Sequence, residues 1–186
     1  MGHPQTSAKV SGNISLRRRY PYSKKALPVG VALLSDEHSL NLWVNILKIL
    51  SVKKAAFSVG AVVHEKQDGS LSCQLLEDLA NIEASNEASA QRLGAYFARV
   101  AELGPRSLST DQCHQVDAEN KIYEFIAGRL RVLFFNGTPG SVVLCTHMFL
   151  KKTRKTPTAE VKAAIRAKDR YEADLAAGHI EWKEEL

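Results

Sequence analysis

Three apolar runs with almost no chain between them govern what this sequence can become: "KIYEFI" (121–126), "RLRVLFF" (129–135) and "SVVLCTHMFLKK" (141–152). Ala127 and Gly128 separate the first two, and "NGTPG" (136–140) separates the second from the third. Each run is rich in β-branched and aromatic residues, and each break carries turn residues. Connections this short join neighbouring antiparallel strands, so residues 121–152 are predicted to form a meander.

The flanking sequence predicts what covers it. "AAFSVGAVV" (55–63) reads as one more strand, followed by a turn at Asp68 and Gly69. Leu75, Leu76, Leu79 and Ile82 predict a helix over 72–82. Leu93, Tyr96, Phe97, Val100 and Leu103 form the core stripe of a second helix over 87–103, stopped by Gly104 and Pro105. The two make a helical hairpin. Thr156 is placed to cap a last helix, with Pro157 at its first position and Gly178 at its end. The expected fold is α+β: a small antiparallel sheet with an N-terminal helical hairpin and a C-terminal helix, plus an N-terminal extension. The expected organisation is an extension over 1–54, a domain over 55–178 and a tail over 179–186. Within the extension, residues 1–35 form a polar arm containing Arg17, Arg18 and Arg19. Residues 38–53 predict a helix around Trp43 that is oily on two sides, to be covered by its own domain or by another chain.

Charge and cysteine usage narrow the setting. The chain carries 25 basic and 20 acidic residues, a net charge of +5. Only three of those basic residues fall in 71–120, against eight acids, so the excess lies at the two ends. That distribution fits a polyanionic partner or a self-neutralising fold. Cys73, Cys113 and Cys145 form no CxxC pair and no disulfide framework, and no histidine joins them at metal-ligand spacing. The start lacks the apolar core of a signal peptide, and "LNLWVNILKIL" is too short to span a bilayer. A cytoplasmic protein with no membrane contact is expected.

Candidate chemistry gathers on the last strands. Strand alternation puts Cys145, His147, Phe149 and Lys151 on one face, and Thr146, Met148, Leu150 and Lys152 on the other. Arg129 and Arg131 share a face of the middle strand, and "MFLKKTRKTP" (148–157) adds Arg154 and Lys155. No serine triad, Walker loop or dinucleotide fingerprint is present. One reaction suits basic groups alone: RNA cleavage by attack of a 2′-hydroxyl on its own phosphate. It needs a base, cations for the developing charge and a proton donor for the leaving 5′-oxygen, but no cofactor. Two quieter readings stand beside it. Arg131 pairs with Glu124 inside the fold, or His147 is a hydrogen-bonded core histidine.

The ordered landmarks "YEF", "RVLFF" and "HMFLKKTRKTP", with Tyr171 late in the following helix, resemble the RelE/HigB toxin superfamily, in particular its HigB-like, phage-derived branch of type II toxins. The resemblance implies a RelE-like fold and a metal-independent endoribonuclease that cleaves mRNA, often on the ribosome. It implies a helix-turn-helix antitoxin as partner, and operator DNA bound through that antitoxin. By motif position Glu124, Phe149 and Thr153 are structural. Arg131, Lys151 and His147 are the catalytic candidates. Arg129, Lys152, Arg154 and Lys155 are the expected RNA-binding groups. The chain departs from the family pattern at Ile126, where an arginine is usual, and at Met148, where a glycine is usual. The missing arginine after Phe125, the arginine-rich arm at 17–19 and the long extension motivate the alternative, a non-catalytic regulator of the same fold that binds nucleic acid or an antitoxin.

Overall fold

In chain order the elements are β1 (Leu47–Lys54), β2 (Ser58–Glu65), β3 (Leu71–Ser72), α1 (Gln74–Ala80), α2 (Glu87–Leu103), β4 (Cys113–Asp117), β5 (Ile122–Ala127), β6 (Leu130–Gly137), β7 (Val142–Leu150), α3 (Thr158–Ala177) and β8 (Ile180–Lys183). They come from a computed structural model that describes residues 46–138, 140–153 and 155–185. The basic arm, Trp43 and Arg154 lie outside the described residues.

The meander forms where its turns require it. β5, β6 and β7 pair antiparallel in sequence order. Gly128 supplies the positive φ of 59° at the first turn. The whole sheet is larger than expected and mixed: eight strands in the order β4-β5-β6-β7-β2-β1-β8, with β3 paired beside β2. β2 lies parallel to β7, and β1 lies parallel to β8. The long connections between these partners, each containing helices, are what permit parallel pairing.

Residues 47–53, expected as the end of a helix, belong instead to the strand β1. Leu47 and Ile49 enter the core beneath α3, whereas Leu50 and Val52 enter the core beneath α1 and α2. Apolar residues on two sides belong here to a strand covered on both faces, a pattern that periodicity alone confuses with a buried helix. The segment after Gly178, read as a tail, carries β8.

α1 packs against β7 and β2, and α2 against β5, β1 and β2. Sheet strands are thus their main partners, in place of the expected hairpin contact. Leu93, Phe97 and Val100 of α2 are buried, but Leu103 is 63% exposed. Phe125 stacks on Phe134 at 4.1 Å, with Phe97 edge-on at 5.7 Å. α2 ends at Gly104, whose φ of 80° and close approach to the Phe57 ring leave no room for a Cβ.

α3 covers the opposite face, mainly over β6. Tyr171 is buried there against Phe135, and its hydroxyl both accepts from Thr138 N and donates to Thr138 O. Thr156 does not cap α3. The N-cap is Pro157, and the Thr156 hydroxyl is engaged elsewhere. Gly178 closes the helix in the left-handed conformation, as expected. No helix among the described residues is long and apolar enough to cross a membrane.

Candidate functional site

The site builds from Glu124. Alternation along β5 turns Ile122 and Glu124 towards α3 while Phe125 turns towards α2. Glu124 is therefore a fully buried carboxylate. A buried carboxylate is costly unless cations and donors surround it. Three neighbouring segments supply them. Arg131 of β6 brings Nε to 3.5 Å from Oε1, and Lys151, just past β7, brings Nζ to 3.1 Å from the same oxygen. His114 of β4, directly opposite Glu124 in the sheet register, brings Nε2 to 3.0 Å. The Thr156 hydroxyl donates to Oε2 at 2.8 Å and accepts from Lys151 Nζ at 3.2 Å.

Arg131 is further fixed by Nη1, which donates to the carbonyls of Gly128 and Leu130. Its Nε is buried and makes no hydrogen bond. The internal Arg131–Glu124 pairing that the sequence allowed is thus present. Arg131 and Lys151 side chains are only 12% exposed, whereas His114 is 42% exposed. One carboxylate faces two cationic side chains, which leaves the cluster with a net positive charge.

The strand faces differ from simple alternation. Val132 pairs with Met148 and Phe134 with Cys145, so β7 carries one extra residue between these pairs. Cys145 and Met148 consequently share the α2-side core, while Phe149 faces α3. His147 also faces α3. Its Nε2 lies 3.0 Å from Glu160 in the first turn of α3, and its Nδ1 lies 2.9 Å from the Thr146 hydroxyl. Both ring nitrogens are therefore engaged. Phe149 packs against the α3-side core and beside the His147 ring at 6.0 Å.

The remaining basic candidates lie around the rim. Arg129 is exposed in the β5–β6 turn, and its carbonyl accepts from Lys151 N at 2.8 Å. Lys152 and Lys155 are exposed in the loop before α3. Thr153 shapes that loop by donating to Lys155 O at 2.7 Å. Sequence reasoning missed His114, Thr156 as a partner of Glu124, and Glu160. The only available signal for His114 was the alternation within the short polar strand "CHQVD", too weak to assign a strand.

On the α2 side, a cleft of about 630 Å³ is lined by Phe57, Leu103, Arg106, Cys113, Tyr123 and Asn136, among others. The Cys113 thiol is pushed up to about 11, chiefly by burial and then by the Glu124 carboxylate.

A mixed sheet with helices on both faces and a cation-ringed carboxylate at one end describes the class. Residues 80–169 match the family described as phage derived protein Gp49-like (DUF891). That matched segment contains Glu124, Arg131, His147, Lys151 and His114. The Gp49-like family is related to the RelE/HigB-type toxins and associated with toxin–antitoxin systems. No curated protein sequence matches the chain.

Proposed function

We propose that this chain is the toxin of a type II toxin–antitoxin pair, a metal-independent endoribonuclease of the HigB-like kind acting on mRNA at the ribosome. The observation that carries this reading is the convergence of Arg131 and Lys151 on one oxygen of Glu124. A shared counter-ion holds two cations at fixed places, and pre-placed cations stabilise the charge that develops on a phosphate under attack. Arg129, Lys152 and Lys155 around them supply non-specific attraction for the RNA backbone. The 2′-hydroxyl of the substrate is the nucleophile, so no cofactor is required. A helix-turn-helix antitoxin is the proposed partner, operator DNA is reached through it, and the cytoplasm is the proposed location. Expression of the chain alone should arrest growth and shorten transcripts, and co-expression with its antitoxin should relieve both. Normal growth with intact mRNA at high protein level would refute the reading.

One observation favours the second reading, a non-catalytic regulator that binds nucleic acid or an antitoxin. Arg131 and Lys151 are largely buried and are occupied by Glu124. Such a network also serves simply to tie β5, β6 and the start of the last loop together. Gel-shift of purified protein with RNA, with cleavage followed in the same lanes and with ribosomes added, separates the two.

A further inference from the structure

We infer that His114, and not His147, is the group that takes the 2′-hydroxyl proton in the proposed RNA cleavage. The inference rests on the endoribonuclease reading above and assigns a residue that the sequence motifs do not include.

The argument is one of nitrogen occupancy. His147 is held by Glu160 on one ring nitrogen and by the Thr146 hydroxyl on the other, with its side chain 16% exposed. To accept a substrate proton it would have to break one of these contacts. His114 is different. Its Nε2 lies 3.0 Å from Oε1 of Glu124, too close for a ring lone pair to face a carboxylate lone pair. The contact is an ion-pair distance without aligned hydrogen-bond geometry, and its electrostatics favour the tautomer with the proton on Nε2 and the lone pair on Nδ1. Among the described residues Nδ1 has no hydrogen-bond partner, and the side chain is 42% exposed. A carboxylate that favours one tautomer of a histidine and leaves the second nitrogen open is an arrangement suited to a general base.

Position supports the role. Nε2 of His114, Nζ of Lys151 and Nε of Arg131 crowd around the same oxygen. A phosphate drawn to the cationic pair thus lies beside the histidine. In the step, the 2′-oxygen gives its proton to Nδ1 and bonds to phosphorus as the bond from phosphorus to the 5′-oxygen breaks. The leaving 5′-oxygen takes a proton from water, and the imidazolium returns its proton to the resulting hydroxide. The products are a 2′,3′-cyclic phosphate and a 5′-hydroxyl.

The test is single-turnover cleavage of an RNA oligonucleotide, with ribosomes present, by wild type, His114→Ala, His114→Gln and His147→Ala proteins, each shown folded by its thermal melt. His114→Ala should lose a hundredfold or more in rate and recover part of it when free imidazole is added. His114→Ala cutting at the wild-type rate overturns the assignment. So does failure of imidazole to restore any rate, or a His114→Gln protein that cuts normally, since either marks a purely positioning side chain. A wild-type protein that cuts no RNA refutes the nuclease reading itself, and the role of His114 falls with it.

Discussion

The Thr156 hydroxyl donates to Glu124 Oε2 across 2.8 Å, tying the residue that precedes the α3 N-cap to the buried middle of β5. Glu124 thereby joins β4, β5, β6 and the loop after β7 through one side chain. Glu124→Gln keeps the shape but leaves Arg131 and Lys151 without a counter-charge. It should cost roughly 3–5 kcal/mol of folding stability, measured by urea unfolding at neutral pH. Thr156→Val removes the donor to Glu124 and the acceptor for Lys151 and should cost about 1–2 kcal/mol.

The buried and exposed cations should separate kinetically. Arg131→Gln and Lys151→Gln, if folded, should raise the cleavage barrier by about 3 kcal/mol, a hundredfold or more in rate. Lys152→Ala and Lys155→Ala should weaken RNA binding modestly and lower the salt dependence of binding by about one unit each, with the cleavage rate of bound RNA unchanged. Single-turnover rates and binding across a potassium chloride series measure both. Full activity of the Arg131 and Lys151 variants would move the chemistry into the loop.

Gly60 lies under Trp182 and Ile49, where an added Cβ would come within 2.8 Å of the indole and 2.6 Å of Ile49 Cγ2. Gly60→Ala should push β8 off β1 and cost roughly 1–3 kcal/mol. Trp182 fluorescence should shift to the red in a Trp43→Phe background, and an unshifted spectrum would show that the strand adapts.

The cysteines give an alkaline signature. Burial raises the Cys113 thiol to about 11 from the model-compound value of 9.0, and raises Cys145 further still. Below pH 9 both folded and unfolded states keep the Cys113 proton, so its contribution to stability is fully present. As the pH rises from 9 towards 11 the unfolded thiol ionises first, and that contribution is lost. Cys113→Ser should flatten this part of the stability profile. In the native protein, iodoacetamide should modify Cys113 slowly at pH 7.5 and Cys145 hardly at all.

The meander was legible because turn residues and β-branched runs are local signals, and the Glu124–Arg131 pair because a charge inside an apolar strand asks for a partner. β1 was not legible, since a strand buried on both faces loses the alternation that marks a half-buried one. The true faces of β7 were hidden by one extra residue, which reverses every side chain beyond it. Thr156 carries the helix-cap signature, but the unmet need of a buried carboxylate took its hydroxyl instead. His114 lies on a short edge strand whose place depends on pairing with β5, which no local pattern announces.

The parallel pairings of β2 with β7 and of β1 with β8 set the order in which this molecule can assemble. As the chain leaves the ribosome, β1 and β2 emerge before their parallel partners and can form a hairpin, but each then has an open edge. Those edges wait until the helices, the meander and finally β8 have been made. Contacts between segments so distant in sequence slow folding and leave strand edges open to other chains meanwhile. Translation pauses placed after β2 should therefore promote aggregation, and pauses placed within the meander should be tolerated better. The Glu124 cluster closes only when Lys151 and Thr156 arrive, so any activity it has is withheld until the loop after β7 has been made.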